Sequence, residues 1–126
     1  MTWNDTLRTG NPTIDAQHEE LCWLTDELAG AREKGNLAAA LEFLLNYTRT
    51  HFSDEEAYME SIGFTELAEH RQKHRYFVET VMDYQERSDR RQLDFKTLLD
   101  FLTKWLVEHI QEEDIPMVRG SATWEE

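Results

Sequence analysis

A histidine and a glutamate stand four residues apart in the stretch His51-Phe-Ser-Asp-Glu55. On a helix, residues at this spacing lie one turn apart on the same face. The positions that continue this face are mostly apolar and run Leu37, Leu41, Leu44, Thr48, Met59 and Ile62. A carboxylate buried on such a face without a partner would cost several kcal/mol. His51 and Glu55 are therefore candidate ligands of a metal ion that compensates the buried charge.

All the histidines of the chain fall on stripes of this kind. They are His18, His51, His70, His74 and His109. A single histidine on an apolar stripe is usually a hydrogen-bonded core residue, but here each candidate helix contributes at least one and none is left for the surface. His70 and His74 also repeat the four-residue spacing, which lets two side chains share one ion. The set as a whole predicts a metal centre.

Asp114 is the candidate ligand whose spacing fits an ideal α-helix worst. It follows His109 by five residues, which on an α-helix is a rotation of about 500°. The carboxylate would then point roughly 140° away from the histidine's face. Because Pro116 disfavours helical geometry at Ile115, the sequence predicts that the helix ends near Asp114. At a fraying end, the aspartate could still turn inward.

The number of candidate ligands indicates two ions. Five histidines and two carboxylates are too many donors for one ion. If both carboxylates and one solvent-derived oxygen bridge, two octahedral ions receive eleven of twelve bonds, and one position stays open for a small ligand. Neutral imidazoles with hard carboxylates favour iron, and the tetrahedral preference of zinc fits this count badly. Composition leaves manganese open.

Four amphipathic segments would position these ligands. The predicted helices span about 13–34, 37–62, 66–87 and 93–114, with an arm over 1–12 and a tail over 117–126. Asn36 and Thr65 are candidate N-caps, and Gly35 and Gly63 are candidate C-terminal stops. Short connections between long helices imply antiparallel neighbours. The expected fold is all-α, an up-down-up-down four-helix bundle with an N-terminal arm, in one domain over 1–126.

Composition excludes several classes of function. The chain has 126 residues and a formal net charge of −13, which opposes binding to nucleic acids and anionic lipids. The apolar runs are too short to cross a bilayer, and residues 1–5 do not resemble a signal peptide. With Cys22 as its one cysteine, the chain is expected to be cytoplasmic. Cys22 is interpreted as a small buried hydrophobe, with a redox role as the alternative.

Taken together, these residues resemble the hemerythrin family, specifically its bacterial members, over nearly the whole chain. The positions that carry the resemblance are His18, His51, Phe52, Glu55, His70, His74, Phe77, Trp105, His109 and Asp114. Trp3 and the segment 10–18 are similar to the family's entry into its first helix. The continuation Ile115-Pro116 departs from the more polar one expected in relatives, and it leaves the end of the fourth helix open.

The resemblance implies a cofactor of two iron ions, Fe2+ or Fe3+, with a bridging oxo or hydroxo group. It assigns His70, His74 and His109 to a six-coordinate iron, and His18 and His51 to a five-coordinate one. Glu55 and Asp114 would bridge the two. Dioxygen would bind reversibly at the open position, in a pocket expected to be lined by apolar side chains. Those expected lining residues are Leu21, Phe52, Met59, Trp105, Leu106 and Ile110.

The first functional hypothesis is therefore oxygen storage or delivery without enzymatic activity, by an expected monomer. A membrane-bound oxygen-consuming enzyme is a candidate recipient, although membrane insertion of this chain is not expected. One alternative is an oxygen or redox sensor that acts through a partner. Another is a di-iron enzyme for peroxide, nitric oxide or ferrous oxidation, with Tyr58 as the nearest candidate proton donor. Arg87, Arg90 and Arg91 are read as a solvated connection, or else as a docking patch.

Overall fold

The computed structural model describes residues 3–124, with side chains over 3–120, so Met1, Thr2 and the last two residues of the expected arm and tail lie outside it. The chain folds into an antiparallel bundle of four long helices, as predicted. The elements are a 3₁₀ turn (Asp5–Leu7), α1 (Pro12–Glu33), α2 (Leu37–Ser61), α3 (Leu67–Asp89), α4 (Phe95–His109), a π-turn (Ile110–Asp114) and α5 (Ile115–Trp124). None of the described residues forms a strand.

Local signals begin and end most of these helices. The Asn11 side chain accepts hydrogen bonds from the N–H groups of Thr13 and Ile14 at 3.0 and 3.1 Å, and Pro12 occupies the first turn of α1. Gly35 and Gly63 adopt φ of 76° and 67°, a left-handed conformation that costs glycine little. Asn36 occupies the N-cap position of α2, as predicted, but its side chain makes no capping hydrogen bond. The predicted cap of α3 was wrong, because Glu66 rather than Thr65 precedes that helix.

An apolar core fills one end of the bundle. Leu28, Leu41, Leu98 and Leu102 are fully buried there, and Tyr84 packs with them. Since neighbouring helices are antiparallel, the first halves of α1 and α3 lie beside the second halves of α2 and α4 at the opposite end. The candidate histidines and Glu55 belong to these halves, and Asp114 belongs to the π-turn. The leucine core thus holds four helices in register while the other end remains available for polar chemistry.

The fourth helical segment does not end near Asp114, so the end predicted there from Pro116 is wrong. Ile115 has helical angles of φ −61° and ψ −52°, and its N–H donates to the carbonyl of Ile110, five residues earlier. The chain then continues as α5, where the sequence predicts a short tail without clear periodicity. Pro116 is tolerated because it lies in the first turn of α5, directly after the wide π-turn.

The N-terminal arm packs against the bundle. Leu7 is buried beside Cys22 and Ile110. The Thr9 N–H and hydroxyl both donate to the Asp15 carboxylate, at 2.8 and 2.7 Å. These contacts fix the entry into α1. Over residues 3–124, every helix is too short or too polar to cross a membrane.

Candidate metal centre

The structure brings all seven predicted ligands together at one end of the bundle. All are buried, and Glu55 and Asp114 have no exposed surface. Their donor atoms form two overlapping groups in which the atoms lie within 4.8 Å of one another. The members are Glu55, His70, His74, His109 and Asp114 in the first group, and His18, His51 and Glu55 in the second.

Glu55 contacts every histidine, three of them through one carboxylate oxygen and two through the other. Oε1 lies 3.1 Å from His74 Nε2, 3.7 Å from His70 Nε2 and 3.8 Å from His109 Nε2. Oε2 lies 3.1 Å from His51 Nε2 and 3.4 Å from His18 Nε2. One carboxylate therefore presents a different oxygen to each histidine set.

Asp114 repeats the same division from the opposite helix. Its Oδ1 lies 3.0 Å from His70 Nε2 and 3.2 Å from His109 Nε2. Its Oδ2 lies 3.1 Å from His18 Nε2. Both carboxylates thus span the gap between the set of three histidines and the set of two.

The π-turn explains how Asp114 reaches this position. A π-helix bonds residue i to residue i+5, so residues five apart lie one turn apart. His109 and Asp114 have that separation, and the turn between them is wide enough to place both on the inner face. Asp114 lies within continuous helix rather than at a fraying end, so the expected inward swing is not needed.

The donor atoms are placed to coordinate a cation rather than to hydrogen-bond to one another. His74 Nε2 and His109 Nε2 face each other at 3.2 Å. Within the described part of the chain, His18 Nε2 lies 3.4 Å from Glu55 Oε2 and 3.1 Å from Asp114 Oδ2, but none of these three buried atoms has a well-formed hydrogen bond. Each such group costs about 1–3 kcal/mol. A metal ion would satisfy these lone pairs at once, so the residues present fit a metal centre.

The electrostatics of the metal-free site show how closely these groups interact. Burial acts to lower the pKa of His18 and of His109, but contacts with Asp114 and Glu55 outweigh it and raise both to about 9. Burial likewise opposes ionisation of the acids. The surrounding histidines nevertheless lower the pKa of Asp114 to about 2 and hold that of Glu55 well below its ordinary value. Without metal, the site is a network of buried opposite charges.

Two outer contacts fix the orientation of ligand histidines, and the sequence reasoning missed both. His51 Nδ1 lies 2.6 Å from Gln17 Oε1, and His74 Nδ1 lies 2.8 Å from Glu56 Oε2. In each case the Nδ1–H donates outward, so Nε2 turns its lone pair toward the centre. Gln17 precedes His18 and Glu56 follows Glu55. That adjacency was the available signal, but only the folded structure shows which histidine each one meets.

Aromatic rings cover two of the histidines. Phe52 stacks on His74 with centroids 3.8 Å apart, and Trp105 stacks on His109 at 4.4 Å. Leu21, Phe52 and Leu106 are buried in the main apolar cluster, with Trp105 packed against it. The other two expected pocket residues lie in separate clusters, Met59 beside Ile14 and Met117, and Ile110 beside Leu7 and Cys22. The six side chains thus belong to three different apolar clusters.

Other residues singled out from the sequence make contacts outside the two groups of donor atoms. Tyr58 packs against the cluster around Met59. Cys22 is buried, and burial raises the pKa of its thiol to about 11, which keeps it in the unreactive thiol form at neutral pH. Arg87 and Arg90 pair with Asp83 and Glu86 on the exposed face of α3.

Comparison with known proteins agrees with this geometry. The sequence model described as "Hemerythrin HHE cation binding domain" matches residues 9–118 of the chain. The chain belongs to the hemerythrin family. The resemblance predicted from the ligand pattern is therefore confirmed, and the buried cluster lies inside the part that the hemerythrin model matches.

Named hemerythrin relatives cover most of the chain. It is 32% identical to the "Bacteriohemerythrin" of Pseudomonas aeruginosa over 117 residues, which is 90% of this chain and 76% of the relative. The "Bacteriohemerythrin" of Ralstonia nicotianae is 28% identical over 98% of this chain and 88% of its own length. The "Hemerythrin-like protein" of Naegleria gruberi is 27% identical over 91% of this chain and 88% of its own.

Proposed function

We propose that this chain holds two iron ions and binds dioxygen reversibly, for storage or delivery of oxygen. His70, His74 and His109 would ligate one iron, and His18 and His51 the other. Glu55 and Asp114 would bridge them, together with an oxo or hydroxo group. When bound, the ferrous pair supplies an open coordination position and two electrons that dioxygen can take up and return.

One observation carries the proposal of two ions: both carboxylates divide their oxygens between the same two histidine sets. Glu55 Oε1 and Asp114 Oδ1 face His70 and His109, while Glu55 Oε2 and Asp114 Oδ2 face His18. A single ion would draw the donors around one point. Two carboxylates that each present one oxygen to each side are the arrangement expected for a bridged pair.

The unequal histidine sets support one open position. The first set offers three imidazoles, and the second offers His18 and His51 alone. If both ions share the same bridges, the second ion has one ligand fewer. A small molecule such as dioxygen would enter there, and buried Leu21, Phe52 and Leu106 would exclude water from the space around it.

The ligand set favours carriage over oxidation chemistry. Five neutral imidazoles and two carboxylates bring less negative charge than the four glutamates and two histidines of ferritin-like di-iron sites. High oxidation states of iron are then less stabilised, so cleavage of the O–O bond is disfavoured.

The deciding experiment is the visible spectrum of the ferrous protein. On exposure to air it should develop a charge-transfer band in the visible range, and purging with inert gas should remove the band. The same sample should contain about two irons per chain. One-way oxidation with release of peroxide or water would contradict the carrier function, and a single bound zinc would contradict the site.

A further inference from the structure

His74 and His51 differ in the charge of the group behind them. The Nδ1–H of His74 donates to the carboxylate of Glu56 at 2.8 Å. The Nδ1–H of His51 donates to the neutral amide oxygen of Gln17 at 2.6 Å. His18 Nδ1 is buried without a hydrogen-bond partner among the described residues. His74 and His51, one histidine from each set, are therefore supported by groups of different charge.

Arg71 holds the Glu56 carboxylate from the other side. Its Nε lies 3.0 Å from Glu56 Oε1, while Glu56 Oε2 is the oxygen that accepts from His74. The Glu56 side chain is 23% exposed and that of Arg71 is 49% exposed. The chain Arg71–Glu56–His74 thus runs from the surface of α3, across α2, to a donor atom of the centre.

Phe52 keeps His74 in the plane that this contact requires. The two rings are stacked with an angle of 3° between them. The imidazole is clamped by a ring on one face and by Glu56 at its Nδ1 edge, so its Nε2 points toward Glu55 Oε1 at 3.1 Å. The contact with Glu56 can therefore act on the donor strength of His74 without reorienting the ring.

A carboxylate that accepts from Nδ1–H raises the basicity of the ligating nitrogen. We infer that Glu56 is a positioning residue that makes His74 the stronger donor, and that Arg71 limits this effect by sharing the carboxylate's charge. The inference rests on the proposed metal centre. It assigns to the ion bound by His74 a greater preference for the ferric state than the opposite ion has.

Substitutions of Glu56 and of Arg71 should change metal binding and the preference between ferrous and ferric iron in opposite directions. Glu56→Gln keeps a hydrogen-bond acceptor but removes the charge, so it should weaken metal binding and favour the ferrous state. Arg71→Gln leaves the carboxylate without its cation, so it should leave metal binding unchanged or tighter and favour the ferric state. If the contact only clamps α2 to α3, both variants would lose it. Metal binding and the preference between ferrous and ferric iron would then change in the same direction in both.

The matched control is Glu60→Gln. Glu60 also lies near Arg71, at 4.0 Å, but it is 75% exposed. The substitution removes the same charge from the same helix surface and makes no direct change at a histidine. It should therefore leave both metal affinity and reduction potential at the values of the unaltered protein.

The experiment titrates metal-free protein with Co2+ and measures the reduction potential of iron-loaded protein, with circular dichroism to confirm folding. Glu56→Gln should bind Co2+ about tenfold more weakly. A tenfold shift toward the ferrous form is a rise of about 59 mV for a one-electron couple. Arg71→Gln should show no loss of Co2+ affinity and no rise in potential.

Two results would overturn the inference. One is a Glu56→Gln protein with unchanged affinity and potential, and the other is an Arg71→Gln protein weakened as much as Glu56→Gln. Neither readout uses dioxygen, so the inference can fail while oxygen binding stands. Failure of the unaltered protein to bind Co2+ at all would contradict the metal centre itself.

Discussion

Glu55 is the residue on which the proposed centre depends most. It is fully buried on α2 and lies within 3.8 Å of all five histidines. Asp114 reaches both histidine sets as well, but it lacks contacts of this range with His51 and His74 in the described structure. Removing Glu55 would therefore leave His51 and His74 without a contact to either proposed bridging carboxylate.

Replacing Glu55 by alanine should therefore weaken iron binding by at least about 100-fold. Tyr58→Phe should leave iron content unchanged, because Tyr58 is not one of the predicted ligands and its ring, which the substitution keeps, packs against the apolar cluster of Met59 and Met117. Iron per chain, measured by elemental analysis after desalting, compares the two variants. Equal effects would mean that Glu55 is not a bridging ligand.

The π-turn is the element that adapts the chain to the centre. It accommodates one residue more than an α-helix would need between His109 and Asp114. It also sets the position of Pro116, whose ring would clash with the carbonyl four residues earlier in a regular helix. One local widening thus places a ligand and makes a proline tolerable.

Deleting exposed Gln111 together with Pro116→Ala should convert this segment to regular α-helix and still bind metal. Asp114 would then follow His109 by four residues, which is again one turn on the same face. The deletion alone should lose about 3 kcal/mol of stability, because Pro116 would lie inside a regular helix. Co2+ titration and thermal unfolding test both statements.

Gln111→Ala is the control for the deletion, since it shortens an exposed side chain and keeps the length of the turn. It should match the unaltered protein in both measurements. If the double variant folds but fails to bind Co2+, the π-turn has a role beyond placing Asp114 on the inner face.

At the scale of the whole molecule, the bundle keeps a charged cluster buried at one end by means of an apolar core at the other. The fully buried leucines, such as Leu28, Leu41 and Leu98, hold the helices together. The polar end adds stability only when its charges are matched. Metal and pH should therefore both change the unfolding temperature.

Adding Co2+ to the metal-free protein at about a hundred times its dissociation constant should stabilise the fold by about 2.7 kcal/mol. For a domain of this size, that is a rise on the order of 10 °C in the unfolding temperature. Differential scanning calorimetry measures the shift, and a chelator should reverse it. An unchanged temperature would mean that the ion does not bind at the buried cluster.

The metal-free protein should lose stability as the pH rises from 6.5 toward 9. His18 and His109 have folded pKa values of about 9, raised from 6.5, so the folded state holds protons that the unfolded state has already released. Asp114 acts oppositely, because its pKa falls from 3.8 to about 2 and its contribution is lost as the pH drops through that range. Denaturant unfolding of chelated protein should thus show greatest stability between these limits, and a flat profile would contradict the buried network.

The sequence by itself identified the candidate ligands, the helical class and the family. Histidines at core positions of four amphipathic segments can be read from spacing, because the α-helix repeats regularly and glycine and proline mark most boundaries. His51 and Glu55 are one turn apart whatever the rest of the chain does. Local periodicity was therefore sufficient to place these two side chains on one face of a helix.

Tertiary structure decided the rest. Spacing on a regular helix placed Asp114 away from the face that His109 occupies. The π-turn that brings the two together depends on contacts with other helices and not on local propensity. The pairing of His74 with Glu56 and of His51 with Gln17 joins residues from different helices, which no periodicity within one segment can reveal. The division of each carboxylate between two histidine sets likewise exists only once four helices have met.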